Sequence, residues 1–172
     1  MSDKISTLVN LISPKIGSHG VYANDEFFAP LERMLSETDP MFIPDKYDNH
    51  GKWMDGWETR RRRTPGYDWC LIKLGCPGTI KRIEINTKFF TGNYPPYAEI
   101  EGIFSEERPD ENDENWKTIL KKRSIKGDAL NNFSSENKNI FNWVKLKIFP
   151  DGGVARLRLW GDVFVDWDKI SK

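Results

Sequence analysis

Residues Gly51–Gly75 read GKWMDGWETRRRRTPGYDWCLIKLG, and this stretch carries more chemical information than any other part of the chain. Its last part, Trp69–Leu74, is an almost unbroken apolar run between Pro65-Gly66 and Gly75. A short apolar run bounded by turn residues predicts a buried strand of a β-sandwich, because a helix needs more length. The expected core is therefore built around this strand.

The first part of the same stretch is charged. Two tryptophans, two carboxylates and four arginines lie within eleven positions: Trp53, Asp55, Trp57, Glu58 and Arg60–Arg63. A core cannot absorb so many charges without partners, so the cluster is either a solvated edge strand or the wall of a pocket. If the arginines follow strand geometry, Arg60 and Arg62 point to one face and Arg61 and Arg63 to the other. The sequence leaves open which pair faces a pocket.

Length and charge restrict the classes of protein to consider. The chain has 172 residues, which suffice for one domain with a sizeable core, expected over residues 1–172. Lys and Arg number 26 and balance 26 Asp and Glu, so no excess charge favours nucleic acid or an anionic membrane as a partner. No apolar run approaches the ~20 residues of a membrane span, and the first apolar segment is too short for a secretion signal. These features predict a cytoplasmic protein.

The cysteines agree with that prediction. Cys70 and Cys76 are the only two in the sequence. Along an extended chain their Cα atoms would be up to ~20 Å apart, whereas a disulfide requires them within about 7 Å. Both are therefore predicted to be free thiols, as in a reducing compartment.

Apolar and polar residues alternate in several other segments and predict strands there. These segments are Val9–Ile16, Ile80–Thr87, Tyr97–Phe104 and Trp116–Leu120. The spacing of Leu31, Met34 and Leu35 indicates one buried helical stripe, which Asn24 or Asp25 could cap.

The second half of the chain contains two contrasting patterns. Val144–Phe149 and Ala155–Trp160 both alternate and are joined by Pro150-Asp151-Gly152-Gly153, which predicts a tight antiparallel hairpin. Ser105–Asn115 carries six acidic side chains and predicts a solvated, mobile loop.

Four segments resemble those of the allantoicase family, in the family's order. They are NDEFFAP (Asn24–Pro30), KWMDGWETRRRRTPGYDW (Lys52–Trp69), NTKFFTGNYPPY (Asn86–Tyr97) and FPDGGVARLRLWG (Phe149–Gly161). The resemblance runs from about residue 9 to 161 and implies an all-β fold, a jelly-roll β-sandwich of the galactose-binding and discoidin-like type. It also implies hydrolysis of allantoate to ureidoglycolate and urea in purine breakdown. Family members usually carry two such repeats and this chain has room for one, which implies self-association to rebuild the pair.

The implied substrate defines the chemistry that the site must perform. Allantoate carries a carboxylate and two ureido groups on one carbon, and loss of urea requires a proton for the departing nitrogen and an activated water. Carboxyl or imidazole groups suit both roles. Asp55 and Glu58 are the candidate catalytic residues, and His50 could replace either.

Binding the same substrate requires a cation and amide-type partners. A guanidinium binds a carboxylate through two parallel hydrogen bonds, so Arg60 or Arg62 is the first candidate, followed by Arg156. Thr91 and Asn93 could bind the ureido groups, because Gly92 permits a positive φ and Pro95-Pro96 would make their loop rigid. Asp25 is a further candidate, since its segment belongs to the resemblance.

Neither a metal nor another cofactor is predicted, because neither of the two histidines is spaced as a zinc ligand. A carboxylate-bound Mn²⁺ or Mg²⁺ is left open, with no signal for it. The alternative function is a small-ligand or carbohydrate-binding module without turnover, because many such modules share the fold. A third hypothesis is that the chain is an inactive fragment with a single repeat.

Overall fold

The computed structural model describes residues 7–165, and β-strands dominate them. Residues 1–6 and 166–172 of the expected domain lie outside this range. The strands are β1 (Val9–Asn10), β2 (His19–Ala23), β3 (Tyr47–Asp48), β4 (Gly51–Lys52), β5 (Trp57–Glu58), β6 (Asp68–Asn86), β7 (Tyr97–Ile103), β8 (Lys117–Ser124), β9 (Leu130–Ser134), β10 (Ile140–Phe149), β11 (Gly153–Val154) and β12 (Arg156–Val163). Helix α1 spans Leu31–Met34, and Pro14–Ile16 form one 3-10 turn. The all-β prediction is confirmed.

Strand β6 connects the two layers of the sandwich. Its first part, from residue 68 to 73, pairs antiparallel with β2 and β10. Its second part, from residue 78 to 86, pairs antiparallel with β12 and β9. One layer therefore has the order β2-β6-β10-β7-β8 and the other the order β1-β12-β6-β9.

The strand predicted at Trp69–Leu74 is confirmed, but it does not end at Gly75. Strand β6 continues through this glycine into the segment predicted as a separate strand at Ile80. A Cβ at Gly75 would lie 1.9 Å from the carbonyl oxygen of Ile16, so the glycine is required by close backbone packing rather than by a turn. A local pattern cannot distinguish these two uses of glycine.

The core lies between the two layers. Its side chains come from the alternating inward positions of the strands: Ile72, Leu74, Ile83, Ile85, Ile100, Val144, Leu146, Ile148, Leu157 and Leu159. All of them are at most 2% exposed. Burying each such side chain is worth about 1.5–3 kcal/mol, so this interior is the main source of stability for the scaffold.

The hairpin predicted between residues 144 and 160 is wrong. Strand β10 pairs with β6 and β7, whereas β12 pairs with β6 and β1, and β6 lies between them. The intervening β11 pairs instead with β5. The alternation correctly predicted two strands. It did not determine which strands pair, because the same pattern is compatible with any antiparallel neighbour. In the structure both strands pair with the long β6.

Three further segments differ from the sequence expectations. The strand expected at Val9–Ile16 is only β1, and it is followed by the 3-10 turn. Strand β9 lies in a segment that the sequence did not predict to pair. The acidic loop from 105 to 116 is held on the sheet, because Lys145 Nζ donates to the Glu111 carbonyl at 2.7 Å and Tyr67 Oη lies 3.1 Å from Glu111 Oε2.

Cys70 is buried, Cys76 is half-buried, and both are free cysteines. Within residues 7–165, no helix combines the length and the apolar character that crossing a membrane requires.

Candidate active site

A cavity of about 590 Å³ opens where β10 ends beside the start of β7. Four segments form its walls: Phe28 before α1, the chain from Glu58 to Arg62, the loop between β6 and β7, and the turn after β10. The polar side chains that line it include Glu58, Arg61, Arg62, Asn93 and Asp151. Each of these residues follows the end of a strand or occupies one, so the sandwich fixes their positions.

Glu58 lies in β5 and is fixed from both sides. Its backbone pairs with Gly153 of β11, and it exchanges two backbone hydrogen bonds with Ala29, at 3.2 and 3.3 Å. The side chain is only 9% exposed, and Asn93 Nδ2 donates to its Oε2 at 2.8 Å. Burial raises the pKa of the Glu58 carboxyl above its ordinary value, and the hydrogen bond from Asn93 opposes part of that rise. This carboxyl therefore keeps its proton to higher pH than an exposed glutamate.

The loop that carries Asn93 interlocks with the turn after β10. The Gly153 N–H donates to the Asn93 carbonyl at 2.7 Å. Gly152 has a φ of 137°, and a Cβ on it would lie 2.7 Å from Pro95 N and 2.8 Å from Asn93 O. Gly92 does not adopt the positive φ that a glycine permits, whereas Gly152 does. The close approach at Gly152 sets the distance between Asn93 and Glu58.

The arginine run does not form a strand. Arg60 Nε binds Asp25 Oδ2 at 3.0 Å, and Arg62 Nη1 binds Asp68 Oδ1 at 2.7 Å. Arg61 and Arg62 line the cavity together, so the alternation expected for a strand is wrong here. Among residues 7–165, the side chains of Arg61 and Arg63 have no hydrogen-bond or ion-pair partner. Arg61 is thus a cation that lines the cavity and has no ion-pair partner among these residues.

A second, smaller cavity of about 360 Å³ lies beside the first and shares two arginines with it. It is lined by Arg60–Arg63 together with Asn24, Asp25, Thr64 and Asp68. The Asp68 side chain is 2% exposed and pairs with Arg62, which is 24% exposed. Asp68 therefore fixes Arg62 from the side opposite the main cavity.

Asp55 and Arg156 form a buried ion pair with each other. Arg156 Nη2 lies 2.8 Å from Asp55 Oδ2, and the two side chains are 1% and 8% exposed. The guanidinium also donates to the carbonyls of Arg33 and Thr38, and Asp55 accepts the Met41 N–H at 3.0 Å. Neither residue lines the main cavity. The two charged side chains hold the segment from 33 to 41 against β12.

His50 and Thr91 are exposed and lie outside the lining of the cavity. The His50 ring stacks on Phe27 with a centroid distance of 4.0 Å.

Asp25 holds the arginine loop rather than a helix. Besides binding Arg60, it accepts the Phe27 N–H at 2.9 Å. The helix cap expected at Asn24 or Asp25 is wrong: residue Pro30 occupies that position, and Glu26 Oε2 accepts the Leu31 N–H. The buried stripe of α1 is confirmed, because Leu31, Met34 and Leu35 are at most 3% exposed.

Asp151 was not among the residues predicted for the site. It lies in the turn after β10, lines the cavity, and accepts the backbone N–H of Arg62 at 2.8 Å on Oδ2. The sequence showed a carboxylate between Pro150 and Gly152, inside one of the segments of the resemblance. Asp is so common in turns that this pattern indicated only a turn.

Among residues 7–165, no three side chains of His, Cys, Asp or Glu gather closely enough to hold a metal ion.

Known proteins with similar folds include carbohydrate-binding modules. CBM32-3 of a Clostridium perfringens glycoside hydrolase superposes with a TM-score of 0.61 at 12% identity, covering 91% of this chain and 96% of the module. At this identity the similarity shows the fold alone. The β-sandwich of the discoidin-like type is thereby confirmed.

Allantoicases are similar in both sequence and structure. The Saccharomyces cerevisiae allantoicase superposes with a TM-score of 0.81 at 37% identity, over 93% of this chain and 50% of that one. "Probable allantoicase 1" of Burkholderia mallei is 44% identical over 164 residues, and "Probable allantoicase" of Acinetobacter baylyi is 49% identical over 162 residues. These matches cover 95% and 92% of this chain but 49% and 47% of the relatives, so the chain spans about half their length. The family profile "Allantoicase repeat" matches residues 9–164. The chain belongs to the allantoicase family.

Proposed function

We propose that this chain carries an allantoicase-type active site, which hydrolyses allantoate to ureidoglycolate and urea. The observation that carries the proposal is that one cavity is lined both by a buried carboxyl, Glu58, and by an arginine without an ion-pair partner, Arg61. A small anionic substrate that must receive a proton requires both groups. The names of the relatives support the same activity.

Arg61 is proposed to bind the substrate carboxylate. Arg60 and Arg62, the first candidates from the sequence, are already paired with Asp25 and Asp68. A guanidinium without an ion-pair partner gains most from a carboxylate ligand, because no hydrogen bond to the protein has to be broken first. Arg62 also lines the cavity and offers a second contact from a fixed position.

Glu58 is proposed to act as the general acid. It delivers its proton to the ureido nitrogen as the bond from that nitrogen to the central carbon breaks. The bonding electron pair leaves with the nitrogen, so protonation turns the leaving group into neutral urea. Because burial raises the pKa of Glu58, the proton is still present at pH values where an exposed glutamate has lost it. Asn93 fixes the orientation of the carboxyl.

The remaining predicted residues have supporting roles in this proposal. Asp25 orients Arg60 in the arginine loop, and the Asp55–Arg156 pair stabilises the scaffold behind it. His50 and Thr91 stand at the surface nearby, and the proposal assigns them no step.

The proposal extends to organisation and assembly. Residues 1–172 form one allantoicase-like domain with its core at about 9–161, and the chain self-associates to bring two repeats together. Support comes from the relatives, which are about twice as long as the matched region. Symmetric self-association is the simplest way to pair two identical repeats. A cytoplasmic location, supported by the two free cysteines, belongs to the same proposal.

The test is urea release from allantoate, measured together with native mass. The expected result is one urea and one ureidoglycolate per allantoate consumed, from a species heavier than one chain. Folded protein that releases no urea at any concentration would refute the enzymatic proposal. Binding to a glycan array without binding to ureido acids would favour a carbohydrate-binding module. A fully active monomer would refute only the assembly.

A further inference from the structure

We propose that Asp151 is the second catalytic carboxylate of the cavity and acts as the general base that activates the attacking water. The inference rests on the proposed function, which requires a base as well as the acid Glu58. Of the residues from 7 to 165 that line the main cavity, only Glu58 and Asp151 carry a carboxylate.

The backbone places the two carboxylates in the lining of one cavity. Glu58 is registered opposite Gly153 in the β5–β11 pair. The pairing continues for one more residue, because the Thr59 N–H donates to the Gly152 carbonyl and the Gly152 N–H to Thr59 Oγ1, both at 3.0 Å. Asp151 directly precedes Gly152, so this pairing holds it beside the segment that carries Glu58 and Thr59. The cavity of about 590 Å³ that both residues line leaves room for a water and a reacting carbon.

The hydrogen bonds of Asp151 leave one oxygen available. Oδ2 accepts the Arg62 N–H at 2.8 Å, which fixes the plane of the carboxylate. Within residues 7–165, no protein donor reaches Oδ1, and Asp151 has no ion-pair partner. Unlike Glu58, this residue is half-exposed. The free Oδ1 can therefore accept a proton from a bound water.

The other carboxylates near the site are neutralised by arginines. Asp25 pairs with Arg60, and Asp68 pairs with Arg62. Asp55 is buried against Arg156, outside the lining of the cavity. None of these three carboxylates lines the main cavity. Asp151 is left as the base.

The reaction balances with these two groups. Asp151 takes one proton from water as the water oxygen forms a bond to the central carbon of the substrate. The bond from that carbon to one ureido nitrogen breaks, and the nitrogen leaves with the electron pair and takes the proton of Glu58. After product release Asp151 carries a proton and Glu58 lacks one, and exchange with solvent restores both.

The test compares Asp151→Asn with the native protein in the urea-release assay. The asparagine keeps an oxygen that accepts the Arg62 N–H, so only the base is removed. We expect kcat to fall by about 10²- to 10⁴-fold. We also expect a KM within a few-fold of the native value and the loss of the acidic limb of the pH profile. Asp39→Asn, an exposed aspartate with no hydrogen bond to other residues of 7–165, is the matched control and keeps native kinetics.

A second variant separates a base from a structural residue. Asp151→Ala opens space for a small carboxylate, and added formate is expected to restore part of its kcat in a saturable manner. Formate has no such effect on the native protein or on Glu58→Gln. If Asp151→Ala does not fold, the kcat and pH profile of Asp151→Asn decide alone.

The outcomes are distinguishable. Native protein that releases no urea refutes the proposed function and this inference with it. Native protein that releases urea, with Asp151→Asn equally fast over the same pH range, refutes the inference alone. A rise in KM with unchanged kcat would assign Asp151 only to the positioning of Arg62 and would also refute it.

Discussion

Nδ2 of Asn93 lies 2.8 Å from Oε2 of Glu58, although the two residues are 35 positions apart. The contact joins β5 to the loop that follows β6, and the turn at Gly152 holds both in place. Ionising a buried carboxyl costs free energy unless hydrogen-bond donors surround it, and the Glu58 side chain has one such donor, Asn93. The result is a carboxyl that is fixed in orientation and keeps its proton to higher pH than an exposed glutamate.

Replacement of this carboxyl tests its catalytic role. Glu58→Gln is expected to lower kcat for urea release by about 10²- to 10⁴-fold, because an amide cannot donate an acidic proton. Folding should persist, since glutamine keeps an oxygen for Asn93. Circular dichroism and a steady-state assay provide the measurement. Glu114→Gln, in the exposed part of the acidic loop, is the matched control. Equal rates for both variants would remove Glu58 from the site.

The raised pKa of Glu58 also predicts a pH dependence of stability. The folded protein binds this proton more tightly than the unfolded chain does. The stabilisation is therefore complete below the ordinary pKa of 4.5 and is lost as pH rises through the pKa of the folded state. Guanidinium unfolding between pH 4 and 8 should show the native protein losing stability relative to Glu58→Gln as pH rises. Parallel curves would contradict the raised pKa.

The unpaired arginine is expected to govern substrate affinity. Arg61→Ala should raise KM by about 10- to 100-fold, because a hydrogen bond to a charged group is worth about 1.5–3 kcal/mol. Arg63→Ala is the matched control: it removes an unpaired arginine that lines only the smaller cavity, and KM should not change. Equal effects of the two variants would point to general electrostatic attraction, which added salt would abolish.

The pair of Asp55 and Arg156 is expected to support folding rather than turnover. Asp55→Asn leaves a buried guanidinium without its counter-ion and should lower the free energy of unfolding by about 3–5 kcal/mol. Arg158→Ala, two positions along β12, removes a half-buried arginine that only donates to carbonyls of residues 37 and 38. Its cost should be about 1 kcal/mol. Guanidinium titrations measure both values, and similar losses would show that the buried pair has no special role.

The conformation of Gly152 predicts a specific sensitivity to a methyl group. Gly152→Ala adds a Cβ at a φ of 137° and within 2.8 Å of the backbone at Asn93 and Pro95. The variant should lose stability by more than about 1 kcal/mol and disturb the contact between Asn93 and Glu58. Gly92→Ala, where no atom lies within 4 Å of the new Cβ, should stay within about 0.5 kcal/mol of the native protein. Thermal melts that rank the two variants equally would contradict this.

The sequence predicted the positions of the strands better than it predicted which strands pair with each other. Period-two alternation located β10 and β12, because that signal depends only on neighbouring residues and a buried face. Which strand pairs with which is decided by the sandwich as a whole, and the predicted hairpin failed for that reason. Strand β9 escaped prediction because its side chains alternate between exposed and half-buried positions, which weakens the apolar signal.

For the candidate site, too, the sequence predicted some features and the tertiary structure decided the others. The sequence by itself determined the all-β class, the buried strand at Trp69–Leu74 and the segment that carries Glu58, since apolar runs and charge clusters are local features. Only the tertiary structure decided which charges are free: Arg156 neutralises Asp55 across 101 positions, and Asp68 holds Arg62, leaving Arg61 in the cavity. It also brought Asp151 into the lining of the same cavity as Glu58. The physical reason is that an ion pair depends on distance in space, and a closed β-sandwich brings together residues whose separation along the chain carries no trace of the contact.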